Sequence, residues 1–231
     1  MAKSIGDSLP YTGRVQPGGP PDVLELDSLT MTKVAVDKDM SNNCYLLKCN
    51  TTGEQVLIDA AAEASQLLGL IGSGGLARVI TTHQHWDHHR ALADVIAATG
   101  ALVVAGEPDA AAITEQTGVG IDDLVTDGDL IEFGEITLEV IALAGHTPGS
   151  IALLYDDPRG TPHLWTGDSL FPGGVGNTFG DKAAFEQLLE QVSSRIFDRL
   201  PDETRFYPGH GDDSILGNER AQIPDWRERG W

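Results

Sequence analysis

The chain has 231 residues, of which 41% are apolar and 22% are charged, a composition typical of a globular domain with a sizeable core. Its 15 Lys and Arg against 35 Asp and Glu give a net charge of −20 with histidine neutral. This balance excludes the basic patch that nucleic-acid binding requires and disfavours docking on anionic lipid. The sequence holds no apolar run of about 18 residues, so we expect no membrane span.

Residues 1–22 form a polar lead-in that is rich in proline and glycine and lacks the apolar core of a secretory signal. A cytoplasmic location is the resulting default. We predict one domain over residues 23–231, with a polar tail from about residue 215 that packs on the domain or on a neighbouring subunit of a homo-oligomer. The two cysteines, Cys44 and Cys49, are predicted to be free thiols on opposite faces of one strand.

Apolar periodicity and turn residues predict the secondary structure in chain order. The first half is predicted to contain strands Val23–Leu26, Leu29–Val36, Cys44–Cys49 and Gln55–Asp59, helix Ala60–Ile71, strand Arg78–Thr81, helix Ala91–Thr99, strand Ala101–Ala105 and helix Pro108–Gln116. The second half is predicted to contain strands Leu130–Phe133, Ile136–Ala142, Ile151–Tyr155 and His163–Thr166, helix Asp181–Leu200 and strand Arg205–Tyr207. Because strands lead into alternating helix and strand in each half, we predict an α/β fold with two mixed sheets and helices outside.

Histidines gather where predicted strands end. His83, His85, His88 and His89 share the loop Thr-His-Gln-His-Trp-Asp-His-His, and His146, Asp168 and His210 each follow a later strand at a turn that contains glycine. Loops beyond the carboxyl ends of strands are where α/β folds place their sites. We interpret His89 and His163 as spare histidines of the surface or core.

Imidazole and carboxylate groups bind zinc, iron or manganese, and the lack of thiolates argues against a purely structural zinc site. His83 and His85 can point the same way from an extended turn, whereas Asp87 and His88 reach a neighbouring position. One loop would therefore serve two adjacent metal positions. The two distant histidines could complete one position each, and Asp168 could bridge them.

These motifs resemble those of the metallo-β-lactamase superfamily over roughly residues 26–213. The resemblance is carried by His83-x-His85-x-Asp87-His88, Gly145-His146-Thr-Pro-Gly, Thr-Gly167-Asp168 and Pro-Gly209-His210-Gly. It implies an αββα fold, a four-layer sandwich of two mixed β-sheets flanked by helices. The run Gly167-Asp168-Ser-Leu-Phe-x-Gly-Gly-x-Gly before a long helix is most similar to the glyoxalase II and persulfide dioxygenase branch.

The resemblance also implies a ligand set for two divalent ions, with zinc expected and iron or manganese as alternatives. One ion would take His83, His85 and His146, the other Asp87, His88 and His210, with Asp168 bridging both. Persulfide dioxygenases hold a single iron on two histidines and the aspartate. The presence of all seven ligands therefore favours a hydrolase.

The expected reaction is hydrolysis of a thioester of a small-thiol conjugate, in which a metal-bound hydroxide attacks the carbonyl carbon. Asp87 and Asp168 are the predicted catalytic residues. A mononuclear-iron persulfide dioxygenase and a lactone hydrolase of the same superfamily are the alternatives.

The chain departs from the branch near the expected site. Arg90-Ala91 stands where a small pair, often Gly-Gly, is usual, and Asn177 stands where arginine is common. Few basic residues lie close to the motifs, which favours S-acyl or S-formyl mycothiol over the dianionic glutathione. Arg90, Asn177 and Lys182 are the candidate substrate contacts.

Overall fold

Two β-sheets pack face to face between two layers of helices. The computed structural model describes residues 10–230. The predicted αββα sandwich of mixed sheets is confirmed. None of the helices within these residues combines the length and the apolar composition that a membrane span needs.

The first sheet has seven strands in chain order. They are β1 (Asp22–Glu25), β2 (Leu29–Val36), β3 (Asn42–Cys49), β4 (Gln55–Ile58), β5 (Arg78–Thr81), β6 (Leu102–Gly106) and β7 (Asp123–Val125). The first four are antiparallel neighbours, and β4 to β7 run parallel. This sheet is associated with helices α1 (Ala64–Ile71), α2 (Leu92–Thr99) and α3 (Glu107–Thr117).

The second sheet has six strands, and β11 and β14 are its parallel pair. Its members in chain order are β8 (Leu130–Phe133), β9 (Ile136–Ala142), β10 (Ile151–Tyr155), β11 (His163–Gly167), β14 (Arg205–Pro208) and β15 (Ser214–Ile215). A small hairpin consists of β12 (Leu170–Phe171) and β13 (Gly174–Val175). The remaining helices are α4 (Lys182–Val192), α5 (Leu216–Glu219) and α6 (Ile223–Arg229).

Alternation along the strands builds the core. In β2, Met31 faces the other sheet, whereas Val34 faces the helices. Between the sheets, Met31 is buried together with Leu47 and Trp165. Burial of this apolar surface is the main stabilising contribution, at about 25 cal/mol per Å².

In the second half, the longest helix ends earlier than predicted, and the C-terminal tail packs on its own domain, one of the two predicted alternatives. Helix α4 ends at Val192 and continues as a π-helical turn over Ser193–Phe197, because serine hydroxyls bind carbonyls four residues back. The C-terminal tail packs on its own domain through Trp226, which is fully buried in the core beneath α4. Trp231 lies outside the described residues.

The first helix also begins later than predicted, at Ala64, because Glu63 takes a left-handed backbone conformation with φ of 54°. Cys44 and Cys49 are buried free thiols in different cores, one on each face of β3. Their predicted state and placement are confirmed.

Candidate metal centre

All seven predicted ligands lie at one edge of the sandwich, on loops that follow strands of both sheets. His83, His85, Asp87 and His88 follow β5, His146 follows β9, Asp168 follows β11, and His210 follows β14. Elements more than a hundred residues apart therefore meet at one place.

The donor atoms fall into overlapping groups in which they lie within 4.8 Å of one another. The groups are His83, His85 and His146; His83, His88 and Asp168; and Asp87, His88 and His210. The first and last are the two sets predicted from the sequence. Their assignment to particular ions stays a prediction.

Asp168 lies between the two sets. Its Oδ1 is 3.4 Å from His88 Nε2, and its Oδ2 is 3.5 Å from His210 Nε2 and 3.7 Å from His146 Nε2. Both carboxylate oxygens thus face donors of the other loops, as expected of a bridging ligand.

Four of the imidazoles are oriented through Nδ1, which leaves Nε2 directed at the centre. The Nδ1 contacts are His83 with Thr82 Oγ1 at 3.0 Å, His88 with Asp59 Oδ2 at 2.8 Å, His146 with the Asn177 carbonyl at 2.7 Å, and His210 with the Met40 carbonyl at 2.9 Å. Metal-binding histidines are typically held in this way.

Three inward-facing atoms are buried without a hydrogen-bond partner among residues 10–230: Nε2 of His83, Nε2 of His146 and Oδ1 of Asp168. An unsatisfied buried polar atom costs about 1–3 kcal/mol, so native structures rarely keep several together. A pair of cations would satisfy all three atoms. The nitrogen and oxygen donor set, which contains no thiolate, fits two such ions.

The pKa shifts of the buried ligands also favour bound cations. Burial lowers the pKa of His88, but the Asp168 and Asp59 carboxylates outweigh it and raise that pKa well above its ordinary value. Burial raises the pKa of Asp168, but His88 and its other histidine neighbours outweigh it and hold that pKa well below the usual range. Buried carboxylate charge of this kind requires positive charge beside it, which either protonated histidines or bound metal ions can supply.

The sequence did not reveal Asn42, which begins β3 at the edge of the site. Its buried Nδ2 donates to Asp87 Oδ2 at 2.9 Å and lies 3.4 Å from His210 Nε2. Asp59, which follows β4, was also missed, although an aspartate directly after an apolar strand was the available signal. It accepts from the Thr82 amide at 2.8 Å as well as orienting His88.

Asp109, in the first turn of α3, ties two ligand loops together. It accepts hydrogen bonds from the Gln84 amide at 2.9 Å, the Thr147 hydroxyl at 2.5 Å and the Gly149 amide at 2.7 Å. Burial raises the pKa of Asp109, and these donors oppose that shift. The residue thus fixes the loop of His85 against that of His146.

The structure shows why the last motif has a glycine at position 209. A β-carbon there would collide with the Asp168 carboxylate and lie 2.7 Å from His88 Cε1. The loop can bring His210 this close to the other ligands only because residue 209 has no side chain.

Two of the three candidate substrate contacts share a groove. Asn177 and Lys182 line a cavity of about 790 Å³ beside His146, between the loop that follows β13 and helix α6. Arg90 lies outside this groove. Its guanidinium is 2.5 Å from Asp37 and stacks on Trp86 at 4.6 Å.

Both histidines interpreted as spare are buried and have partners. His89 Nε2 is 3.1 Å from the Gln84 carbonyl, and His163 Nδ1 is 2.6 Å from the Tyr207 hydroxyl. Neither belongs to a group of metal donors in the part of the chain that the structure describes.

A family model of the metallo-beta-lactamase superfamily matches residues 37–210, and the chain belongs to this superfamily. This membership and the relatives named hydroxyacylglutathione hydrolase indicate a metallo-hydrolase, and the His and Asp donor groups fit two ions.

Three individual relatives illustrate the similarity of this chain to other proteins of the superfamily. A hydroxyacylglutathione hydrolase of Polaromonas sp. is 37% identical over 189 residues, which are 78% of this chain and 66% of that protein. The crystal structure of ETHE1 from Myxococcus xanthus is 28% identical, with a TM-score of 0.71 over 86% of this chain and 84% of that chain. TTHA1623 in a di-iron-bound form is 30% identical, with a TM-score of 0.62 over 81% of this chain and 96% of that chain. The chain thus spans about two thirds of the curated hydrolase it matches.

Proposed function

We propose that the protein hydrolyses the thioester bond of an acyl conjugate of a small thiol. The observation that carries the proposal is the convergence of two complete donor sets, with Asp168 between them. The relatives named hydroxyacylglutathione hydrolase support a thiol conjugate as the substrate.

Each donor set would hold one metal ion. His83, His85 and His146 would hold one ion, and Asp87, His88 and His210 the other, with Asp168 shared. Such ions supply Lewis acidity, which lowers the pKa of a water molecule and polarises the thioester carbonyl.

The aspartates would do more than bind. Asp87 and Asp168 would accept hydrogen bonds from the attacking water and direct it at the carbonyl carbon. Asn42 would keep Asp87 in place through its 2.9 Å hydrogen bond. Preorganised groups of this kind contribute more to catalysis than flexible ones, because they need not reorient during the reaction.

An apolar rim beside the ligands suits the acyl part of an organic substrate. The Phe179 ring is 71% exposed, and its centroid is 5.6 Å from that of His85. Trp86, which is 51% exposed, lies between two ligands in the sequence. Large apolar side chains at a site mouth favour contact with a ligand over water.

The groove beside His146 would hold the thiol carrier. Its charged lining balances three basic residues against three acidic ones: Lys182, Arg227, Arg229, Asp181, Glu186 and Glu228. A carrier with two carboxylates, such as glutathione, would need an excess of cations. The balanced lining therefore supports mycothiol as the carrier, with Asn177 and Lys182 as contacts, whereas Arg90 would act from outside the groove.

Parallel kinetics on acyl thioesters of mycothiol, glutathione and coenzyme A, with metal-loaded protein, test this proposal. We expect the highest kcat/KM with mycothiol. Negligible turnover of all three would overturn thioester hydrolysis, and a preference for glutathione would overturn the carrier. Lys182→Ala should raise KM, whereas the control Lys48→Ala, an exposed residue at the far end of β3, should not.

Oxygen uptake with a thiol persulfide separates the oxygenase alternative on the same samples. We expect none. Oxygen consumption by protein that holds a single iron would instead favour the dioxygenase.

A further inference from the structure

We infer that Lys33 is a positioning residue for the second metal set, because it locks the loop of His210 to the N-terminal arm, residues 10–21. This inference rests on the proposed role of His210 as a metal ligand. The lock consists of Tyr11, Lys33 and Asp213.

Lys33 occupies an unusual place for a cation. It lies on β2 and faces the core between the sheets on the same side as Met31, and it has no exposed surface. Its ammonium group donates to the Gly13 carbonyl at 2.8 Å, the Gly211 carbonyl at 2.9 Å and Asp213 Oδ1 at 2.6 Å. A buried ammonium is tolerated only when it is fully paired, and here all three protons have acceptors.

The acceptors come from two distant parts of the chain. Gly13 belongs to the arm, whereas Gly211 and Asp213 belong to the loop that follows β14. The second oxygen of Asp213 accepts a hydrogen bond from the Tyr11 hydroxyl of the same arm. The arm and the loop are therefore held together by the Lys33 ammonium and the Tyr11 hydroxyl, and Arg14 adds an exposed ion pair with Asp212 at 3.2 Å.

The loop needs this support because of where it places its ligand. The His210 side chain is 25% exposed and stands one residue before Gly211, whose φ is +76°. On the other side of His210, the Pro208 carbonyl accepts from the Tyr45 hydroxyl at 2.7 Å. On the Gly211 side, Lys33 supplies the charged contact, beside the Asn43 Nδ2 that donates to the same carbonyl at 2.9 Å. The loss of Lys33 should therefore loosen His210 more than the ligands of the first set.

The lock also lies outside the residues that the superfamily model matches. That match covers residues 37–210, and all three members of the lock fall before or after it. Through the lock, the N-terminal arm would support the metal centre rather than form a passive lead-in.

Zn²⁺ titration of the full chain against a chromophoric chelator tests the inference. Lys33→Met should weaken the second ion about 10–100-fold, the usual effect of removing a residue that orients a ligand, and leave the first ion unchanged. Tyr11→Phe should weaken the second ion in the same direction by a smaller factor. Arg220→Met is the matched control, because Arg220 also joins backbone carbonyls to an aspartate, but between α4 and α5. It should leave both affinities unchanged.

A paired variant keeps the test decisive if Lys33→Met does not fold. Lys33→Met/Asp213→Leu replaces the ion pair by apolar side chains, an exchange that often leaves stability unchanged. It still lacks the contact with Gly211, so the second ion should remain weak. Wild-type affinity in both the paired variant and Tyr11→Phe would overturn the inference.

His210→Ala provides the reference for these titrations. It should abolish binding of the second ion. If His210→Ala binds two ions as tightly as the wild type, the assignment of His210 fails, and with it the proposed metal site. That outcome differs from wild-type affinity in the Lys33 variants alone.

Discussion

At the scale of single residues, Asp168 connects the two donor sets, because its oxygens lie 3.4 to 3.7 Å from histidine nitrogens of three different loops. Its main contacts are with other ligands rather than with the apolar core. Its loss should therefore affect metal binding and catalysis more than folding.

Asp168→Ala should lower the affinity for both ions and reduce kcat by at least about 100-fold, the cost of losing one preorganised electrostatic group. Elemental analysis of the purified variant, kcat and thermal unfolding of the metal-free protein measure these effects. His89→Gln is the control and should matter far less. Unchanged metal content in Asp168→Ala would contradict its assignment.

His163 gives a residue-scale prediction for pH. Burial lowers the pKa of folded His163 to about 4, whereas the unfolded chain keeps the ordinary value of 6.5. Between these values the unfolded state binds a proton that the folded state does not. The free energy of unfolding should therefore fall as the pH is lowered from 6.5 toward 4.

Urea unfolding of the wild type and His163→Gln across this pH range checks the sign. The variant should lose the contribution of this residue and show a shallower dependence on pH. Tyr207→Phe is the matched control: it removes the hydroxyl beside His163 but keeps the imidazole, so it should keep the steeper dependence. Equal slopes for the wild type and His163→Gln would disprove this reading.

At the scale of elements, helix α3 contributes to the site mainly through Asp109, which holds three donors from two ligand loops, while Gln116 donates to the Gln84 carbonyl at 3.1 Å. Asp109→Asn should leave one donor unsatisfied and lower the free energy of unfolding by about 1–3 kcal/mol. Activity should fall as well, because the loops of His85 and His146 would loosen. Denaturant titration and kinetics measure both, with the exposed Asp94→Asn in α2 as control. Full activity of Asp109→Asn would show that Asp109 does not position the loops.

The loop before α4 offers a second test at this scale. Phe179 adopts φ of +55°, and its amide donates to Asn177 Oδ1 at 2.7 Å. In Phe179→Gly, relief of backbone strain and the added freedom of the unfolded chain offset each other, so stability should change by less than about 1 kcal/mol. KM for the thioester should nevertheless rise. Phe179→Tyr should restore KM, and an unchanged KM in the glycine variant would exclude a substrate contact.

Elements with a clear period could be predicted from the sequence, and the others could not. Strands β2, β5, β8, β9 and β10 have the predicted bounds, because their apolar residues alternate or run unbroken between turns. β7 was missed because this edge strand has only three residues and begins with Asp123, and β12 and β13 are too short to show a period. The π-helical turn after α4 depends on serine hydroxyls, which the apolar stripe does not reveal.

The residues of the site also divide into those that the sequence predicts and those that it does not. The metal donors stand in short motifs at strand ends, so residue type and spacing sufficed to predict them. Asn42, Asp109 and Lys33 act through partners 20 to 180 residues away, and no local pattern marks them. Contacts of this kind appear only once the fold has brought the loops together.

At the scale of the whole molecule, the sandwich brings ligands from positions 83 to 210 to one edge, with each sheet supplying part of the set. With a net charge of −20, the chain has few Lys and Arg side chains around the site that are not already paired with carboxylates. This scarcity favours a substrate that carries little negative charge. Metal binding should therefore couple the two sheets, and removal of the ions should lower the stability of the entire domain.

Metal content and thioester turnover, followed together before and after chelation, test the two-ion centre most directly. We predict two ions per chain in protein purified without added metal, loss of activity when they are removed, and recovery only after two equivalents are restored. Full activity in the chelated protein, or full recovery with a single equivalent, would contradict a centre built on two cations.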